Sequence, residues 1–151
     1  MESIAKELAE IVISVSTKLA QMDDAQASAR PAANEWSRKE IVGHLIDSAT
    51  NNHQRFVRAQ IGETLDFPGY DQEGWVARQA YNDGSWNQLI EFWKAYNLHL
   101  CWVIRNIPAE AHARVCKIGD NPPVTLEGLV QGYLRHIRAH LVQLRLENSR
   151  G

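Results

Sequence analysis

The chain reads as an all-α protein, a four-helix bundle with long connections between its helices, and three observations predict this. Four segments of about 20 residues carry apolar side chains at spacings of three and four, the period of an amphipathic helix. Prolines, glycines and polar clusters separate them. The composition, 44% hydrophobic and 23% charged, is that of an ordinary globular domain, and 151 residues are enough to build a core without disulfides. One domain over residues 1–151 is expected.

The first helix is expected from Ser3 to Met22, with Ile4, Leu8, Ile11, Val15 and Leu19 on one stripe. The polar stretch DDAQASARPAANEW then reads as a loop. Ser37 and Glu40 form an S-x-x-E capping box that opens the second helix, with Trp36 before it as a hydrophobic staple. Ile41, His44, Leu45, Ser48, Asn52, Phe56 and Ala59 share a face, and the helix should stop before Gly62. Residues 62–74 read as a connection and Trp75 to Ala80 as a short helix. The third long helix spans Ser85 to Asn106, with Leu89, Phe92, Trp93, Tyr96, Leu100 and Val103 as its stripe and Pro108 beyond its end. Val115 to Ile118 reads as a short extended piece. Thr125 caps a fourth helix from Leu126 to Glu147, whose stripe is Leu129, Tyr133, His136, His140 and Leu144. Helices of roughly 30 Å bury such stripes most simply as a bundle.

Charge and composition narrow the function. Sixteen basic against eighteen acidic residues leave a net charge of −2, so nothing in the charge calls for nucleic acid or an anionic membrane as partner. Cys101 and Cys116 are too few and too far apart for a disulfide framework or a zinc knuckle, and read as reduced thiols of a cytoplasmic protein. Acidic and basic residues are scattered through the first fifteen positions, unlike a signal peptide. No apolar run approaches the roughly 18 residues of a membrane span.

The six histidines carry the chemistry. His136 and His140 are an i, i+4 pair about 40° apart around the helix, the geometry in which H-x-x-x-H chelates zinc. They share a stripe with Leu129, Tyr133 and Leu144, so they face the core, where unpartnered imidazoles cost free energy. His44 sits among Ile41, Leu45 and Ser48 and also points inward. Three inward histidines from two helices suit a three-ligand site with an open position, and imidazole favours zinc, nickel, copper or iron. The competing reading makes each of them a hydrogen-bonded packing residue.

The remaining candidates are weaker. His53 lies about 900° around the helix from His44, half a turn off its face, and is expected in solvent. His99 reads as a boundary residue, and His112 lies in a connection with no partner near it in sequence. Asp47, one turn after His44, is a candidate base or imidazole orienter, against the plainer reading of a solvated carboxylate. Tyr133 could donate to a ligand but reads more simply as core, and Trp75 could cover the metal mouth. The cysteines do not join the site, which leaves room for an exogenous thiol as a fourth ligand.

The run WSRKEIVGHLIDS at 36–48, with Asn52 and Arg55 after it, and YLRHIRAHLVQL at 133–144 resemble the DinB-like superfamily, also called DinB/YfiT-like metalloenzymes. The resemblance covers nearly the whole chain. It implies a four-helix bundle of up-down-down-up topology and a metal site of three histidines, which fall on His44, His136 and His140. It further implies a zinc or nickel ion, homodimers and, in some branches, transfer of low-molecular-weight thiols such as bacillithiol or mycothiol to electrophiles. The sequence shows no C-terminal domain of the mycothiol-dependent isomerase branch, which counts against that activity.

Two functions follow. One is a metal-dependent thiol transferase or hydrolase working on a small thiol or electrophile. The other is a non-catalytic, stress-related helical protein whose metal knits two helices together. A third and lesser reading is an empty relic held by hydrogen bonds among the histidines.

Overall fold

The computed structural model describes residues 1–146. Four long helices dominate it: α1 (Glu2–Leu19), α3 (Arg38–Arg58), α5 (Trp86–Arg105) and α6 (Leu126–Gln143). Between them lie α2 (Asp24–Ser28), β1 (Thr64–Phe67), α4 (Gln72–Gln79), β2 (Val115–Ile118) and β3 (Val124–Thr125). No described helix is long and apolar enough to cross a membrane.

The predicted capping box starts α3: Ser37 Oγ accepts from the Glu40 amide at 3.2 Å, and Glu40 Oε2 accepts from the Ser37 amide at 2.8 Å. Thr125 caps α6 in the same manner on the Gly128 amide, 3.0 Å away.

Side-chain contacts give the direction of each helix. Trp86 at the start of α5 donates its indole N–H to the Leu19 carbonyl at the end of α1, and Arg105 meets Glu2 at the opposite ends, so α1 and α5 run antiparallel. Lys39 reaches the Gly84 carbonyl just before α5, while His53 reaches Tyr96 further along, so α3 and α5 run parallel. Arg38 donates to the Leu144 carbonyl and Ser48 meets His136, so α3 and α6 are antiparallel. The resulting order is up-down-down-up. α1 packs on α5, α5 on α3 and α3 on α6, and α6 returns to α1 through Arg138 and Glu7. Trp93, Leu100, Ile104, Leu8, Val12 and Phe56 are among the fully buried core residues.

The parallel α3–α5 pair needs a crossover, which residues 59–85 supply. That connection and the one after α5 meet in a small sheet: β1 pairs parallel with β2, Thr64 opposite Val115 through Phe67 opposite Ile118, and β2 pairs antiparallel with β3.

Four expectations change. Residues 23–36 are not all loop, because Asp23 and Gln26 form a capping box that starts α2. Residues 62–74 contain β1, in which Leu65 and Phe67 alternate with Thr64 and Asp66 over only four residues, too short a pattern to mark a strand without β2 beside it. The short helix begins at Gln72, capped by the Asp71 carboxylate on the Gly74 amide, and ends at Gln79. The fourth long helix ends at Gln143, capped at Leu144, and Glu147 falls outside the described residues.

Candidate metal centre

His44 lies two turns into α3, whose face toward the core is buried almost without interruption from Lys39 to Ala49. His136 and His140 lie one turn apart near the end of α6. Antiparallel packing of α3 and α6 brings the three together, across 92 and 96 residues of sequence. The Nε2 atoms form a triangle: 3.3 Å from His44 to His136, 3.1 Å from His44 to His140 and 3.0 Å from His140 to His136. Three nitrogens held at about 2.0–2.1 Å by one tetrahedral ion stand about 3.3 Å apart, so the triangle has the right size. The cluster thus has the composition and spacing to hold a metal ion.

The hydrogen bonds support ligation over packing. A neutral imidazole has one N–H and one lone pair, so three Nε2 atoms facing one another cannot all be satisfied by each other. His140 uses its Nδ1–H on Gln143 Oε1 at 3.0 Å, which leaves the Nε2 lone pair pointing into the triangle. His136 Nδ1 lies 3.4 Å from Ser48 Oγ. His44 is fully buried and its Nδ1 has no partner among the described residues. Trp36 lies over the His44 ring, centroids 5.0 Å apart.

Burial, followed by the neighbouring imidazoles His140 and His136, pushes His44 down to about 4. Burial and then His140 push His136 down to about 4 as well. Both are therefore neutral at pH 7, the form a metal needs. The direction predicts acid sensitivity. In the unfolded chain these histidines take protons near their ordinary value of about 6.5. In the folded chain they resist until about 4. Below pH 6.5 the unfolded state binds more protons, so stability falls as pH drops from about 6.5 toward 4. Urea midpoints of metal-stripped protein should decline across that window, and the decline should shrink in His44→Gln. A flat profile in wild type would refute the assignment.

Asp47 is buried, not solvated, and no described hydrogen bond joins it to a histidine. Its Oδ1 accepts from Tyr81 Oη at 2.7 Å and Gln79 Nε2 at 2.8 Å, while Oδ2 is buried without a partner. Burial raises its pKa against the pull of those two hydrogen bonds. Orientation of the imidazoles falls instead to Ser48 and Gln143. Gln143 follows His140 by three positions, a spacing that could have been read from sequence.

Other positions also differ from expectation. Trp75 does not cover the cluster; it packs on Tyr70, centroids 5.0 Å apart. The covering residue is Trp36, which the capping pattern had explained as a staple. His53 is half-buried rather than solvated, bonded through Nδ1 to Tyr96 Oη at 2.7 Å and packed edge-on to His99. His112 bonds the Ile107 carbonyl. Tyr133 is core, its hydroxyl donating to Asn97. Cys101 is buried, and burial pushes its thiol up to about 11. Cys116 is buried and stands outside the histidine cluster, as expected, though it lines a cavity of about 400 Å³ that His136 also lines.

That cavity lies between α3, α6 and the small sheet, with Ser48, Asn52 and Arg55 on its α3 wall. His140 lines a separate groove together with Trp36, Glu73 and Gln143. The cluster thus borders two openings, one at His136 and one at His140.

The fold has relatives among solved structures. YfiT from Bacillus subtilis, described as a probable metal-dependent hydrolase with an unusual four-helix bundle topology, superposes with a TM-score of 0.74 at 22% identity, over 93% of this chain and 85% of that one. A mycothiol-dependent maleylpyruvate isomerase superposes with a TM-score of 0.77 at 16% identity, over 96% of this chain. This chain spans 61% of the isomerase. A histidine-to-alanine variant of that isomerase gives 0.76 at 17% identity. No match was found among curated proteins. The sequence pattern of the DinB superfamily matches residues 14–144, and the chain belongs to that superfamily.

Proposed function

We propose that this protein is a metal-dependent enzyme using His44, His136 and His140 as ligands for one zinc or nickel ion, and that it transfers a low-molecular-weight thiol to an electrophile or hydrolyses a small substrate. The observation that carries this reading is the Nε2 triangle of 3.0–3.3 Å, at once the right size for three ligands and unsatisfiable by hydrogen bonds alone. A divalent ion held there would supply Lewis acidity and lower the pKa of a thiol or water at its open position.

The chain's own residues do the rest. Gln143 and Ser48 hold two imidazoles in place. Trp36 keeps water from the face of His44. Asp47, one turn after His44 and held by Tyr81 and Gln79, is the candidate base. YfiT, a probable metal-dependent hydrolase, supports the hydrolytic reading, and the mycothiol dependence of the isomerase supports a low-molecular-weight thiol as a participant. The same reading makes the protein a cytoplasmic homodimer acting on a small molecule.

Elemental analysis of untagged protein should find about one zinc or nickel per chain, largely lost in His140→Ala. No metal in wild type after incubation with either ion would end this proposal. The competing reading, a purely structural ion, predicts the same metal content. It fails if stripping the metal leaves the melting temperature unchanged.

A further inference from the structure

Arg55 is a buried cation without a counter-ion. It is 9% exposed, and among the described residues no carboxylate lies within ion-pair distance of it. Its Nε is buried with no hydrogen-bond partner. Burial lowers its pKa, and only the Tyr70 hydroxyl works against that; no carboxylate does. An unpaired buried charge costs several kcal/mol, about the most expensive feature a core can carry, and it is normally neutralised. What holds Arg55 in place is Phe67 of β1, with the guanidinium 5.8 Å from the ring centroid.

The position of this charge gives it a use. His44, Ser48, Asn52 and Arg55 follow one another at spacings of four, four and three, so they form one stripe along α3. Ser48, Asn52 and Arg55 line the cavity that His136 also lines. From Ser48 to Arg55 the stripe runs about 10 Å along the helix. Across the cavity stand Ile118, Leu129 and Tyr133, an apolar wall. Tyr70 lines the same space, and burial, followed by the charge of Asp47, raises its hydroxyl to about 12, so it remains a neutral donor. Arg135, exposed, adds a second positive charge to the lining.

We infer that Arg55 is the anchor for a carboxylate: the cavity takes an organic acid with an apolar body, its carboxylate on the Arg55 guanidinium and its other end at His136 and the cluster. The planar fork of the guanidinium matches a carboxylate with two parallel hydrogen bonds. One negative charge neutralises the one buried positive charge, and the apolar wall takes the body of the acid. This inference rests on the cluster being the reacting centre, but the binding of the acid can be tested apart from the metal.

The probe is 4-phenylbutyrate, with neutral 4-phenylbutyramide and inorganic phosphate as comparisons, titrated calorimetrically into metal-loaded wild type and Arg55→Met and into metal-free His140→Ala. Wild type should bind the acid and discriminate against the amide and phosphate. Arg55→Met should bind the acid about ten- to a hundredfold more weakly, the usual worth of charge-assisted hydrogen bonds. His140→Ala should bind it nearly as wild type does, whether or not a metal was ever present. Loss of binding in His140→Ala with retention in Arg55→Met would overturn the inference, because the acid would then sit on the metal. Equal binding of acid and amide by wild type, or binding of phosphate alone, would overturn it without any variant. The melting temperature provides a further check. Removing an unpaired buried charge should leave unliganded Arg55→Met as stable as wild type or a few degrees more so. A variant that melts lower yet binds the acid normally would make Arg55 structural.

Discussion

Saturating zinc or nickel should raise the melting temperature of metal-stripped protein by about 8–16 °C, and in His44→Gln that increment should disappear. An ion at about a thousand times its dissociation constant stabilises the state that binds it by about 4 kcal/mol. For a chain of this length each kcal/mol moves the midpoint by about 2–4 °C. The ion acts on the native state alone, because its three ligands are gathered only there: His44 on α3 and the pair on α6, 92 and 96 residues away in sequence. His44 is the informative position. It supplies the only ligand on its helix, so its loss leaves just an i, i+4 pair that half-formed helix could also offer. Glutamine is close in size to histidine and keeps the helix, so a change in the increment reports ligation and not a cavity. Differential scanning fluorimetry with and without each metal measures it. An undiminished increment in His44→Gln would show that the ion binds elsewhere, and no increment in wild type would show that the cluster is not a metal site.

Gly43→Ala should destabilise the protein by roughly 2–4 kcal/mol, although alanine is the better helix former by about 1 kcal/mol. A Cβ on Gly43 would stand 2.5 Å from Cε2 of the Tyr81 ring and closer still to Cγ and Cδ2. The ring cannot step aside cheaply. Its hydroxyl donates to Asp47 Oδ1 at 2.7 Å and lies 2.8 Å from Gln79 Oε1. Overpacking of this kind costs about 1–3 kcal/mol, and losing a hydrogen bond to a buried carboxylate adds about 1.5–3. Together these exceed the helix-propensity gain. Asp47 would then lose one of its two donors and be pushed further toward its protonated form. A double-mutant cycle isolates the contact: in a Tyr81→Ala background the Gly43→Ala step should cost little or turn favourable. Urea denaturation of the four proteins gives the coupling. A neutral single variant would show that Tyr81 moves freely and does not hold Asp47 in place.

Sequence alone determined the four long helices, their caps at Ser37 and Thr125, and the identity of the three clustered histidines. Each of these is local information. A helix stripe, a capping box and an i, i+4 pair are set by spacing along one segment, and His44 declared its inward face by the apolar residues beside it. What the sequence could not determine is what lies across from each stripe. β1 alternates over only four residues, too few to declare a strand, and it pairs with β2, 51 positions further on by the register of Thr64 and Val115. Only tertiary structure put Trp36 over His44, buried Asp47 under Tyr81 and Gln79, and packed His53 against Tyr96 and His99. The same holds for the cavity. Arg55 and Cys116 acquire meaning from the sheet and helices that enclose them, because burial and the absence of a partner are properties of the packed chain and not of any one segment.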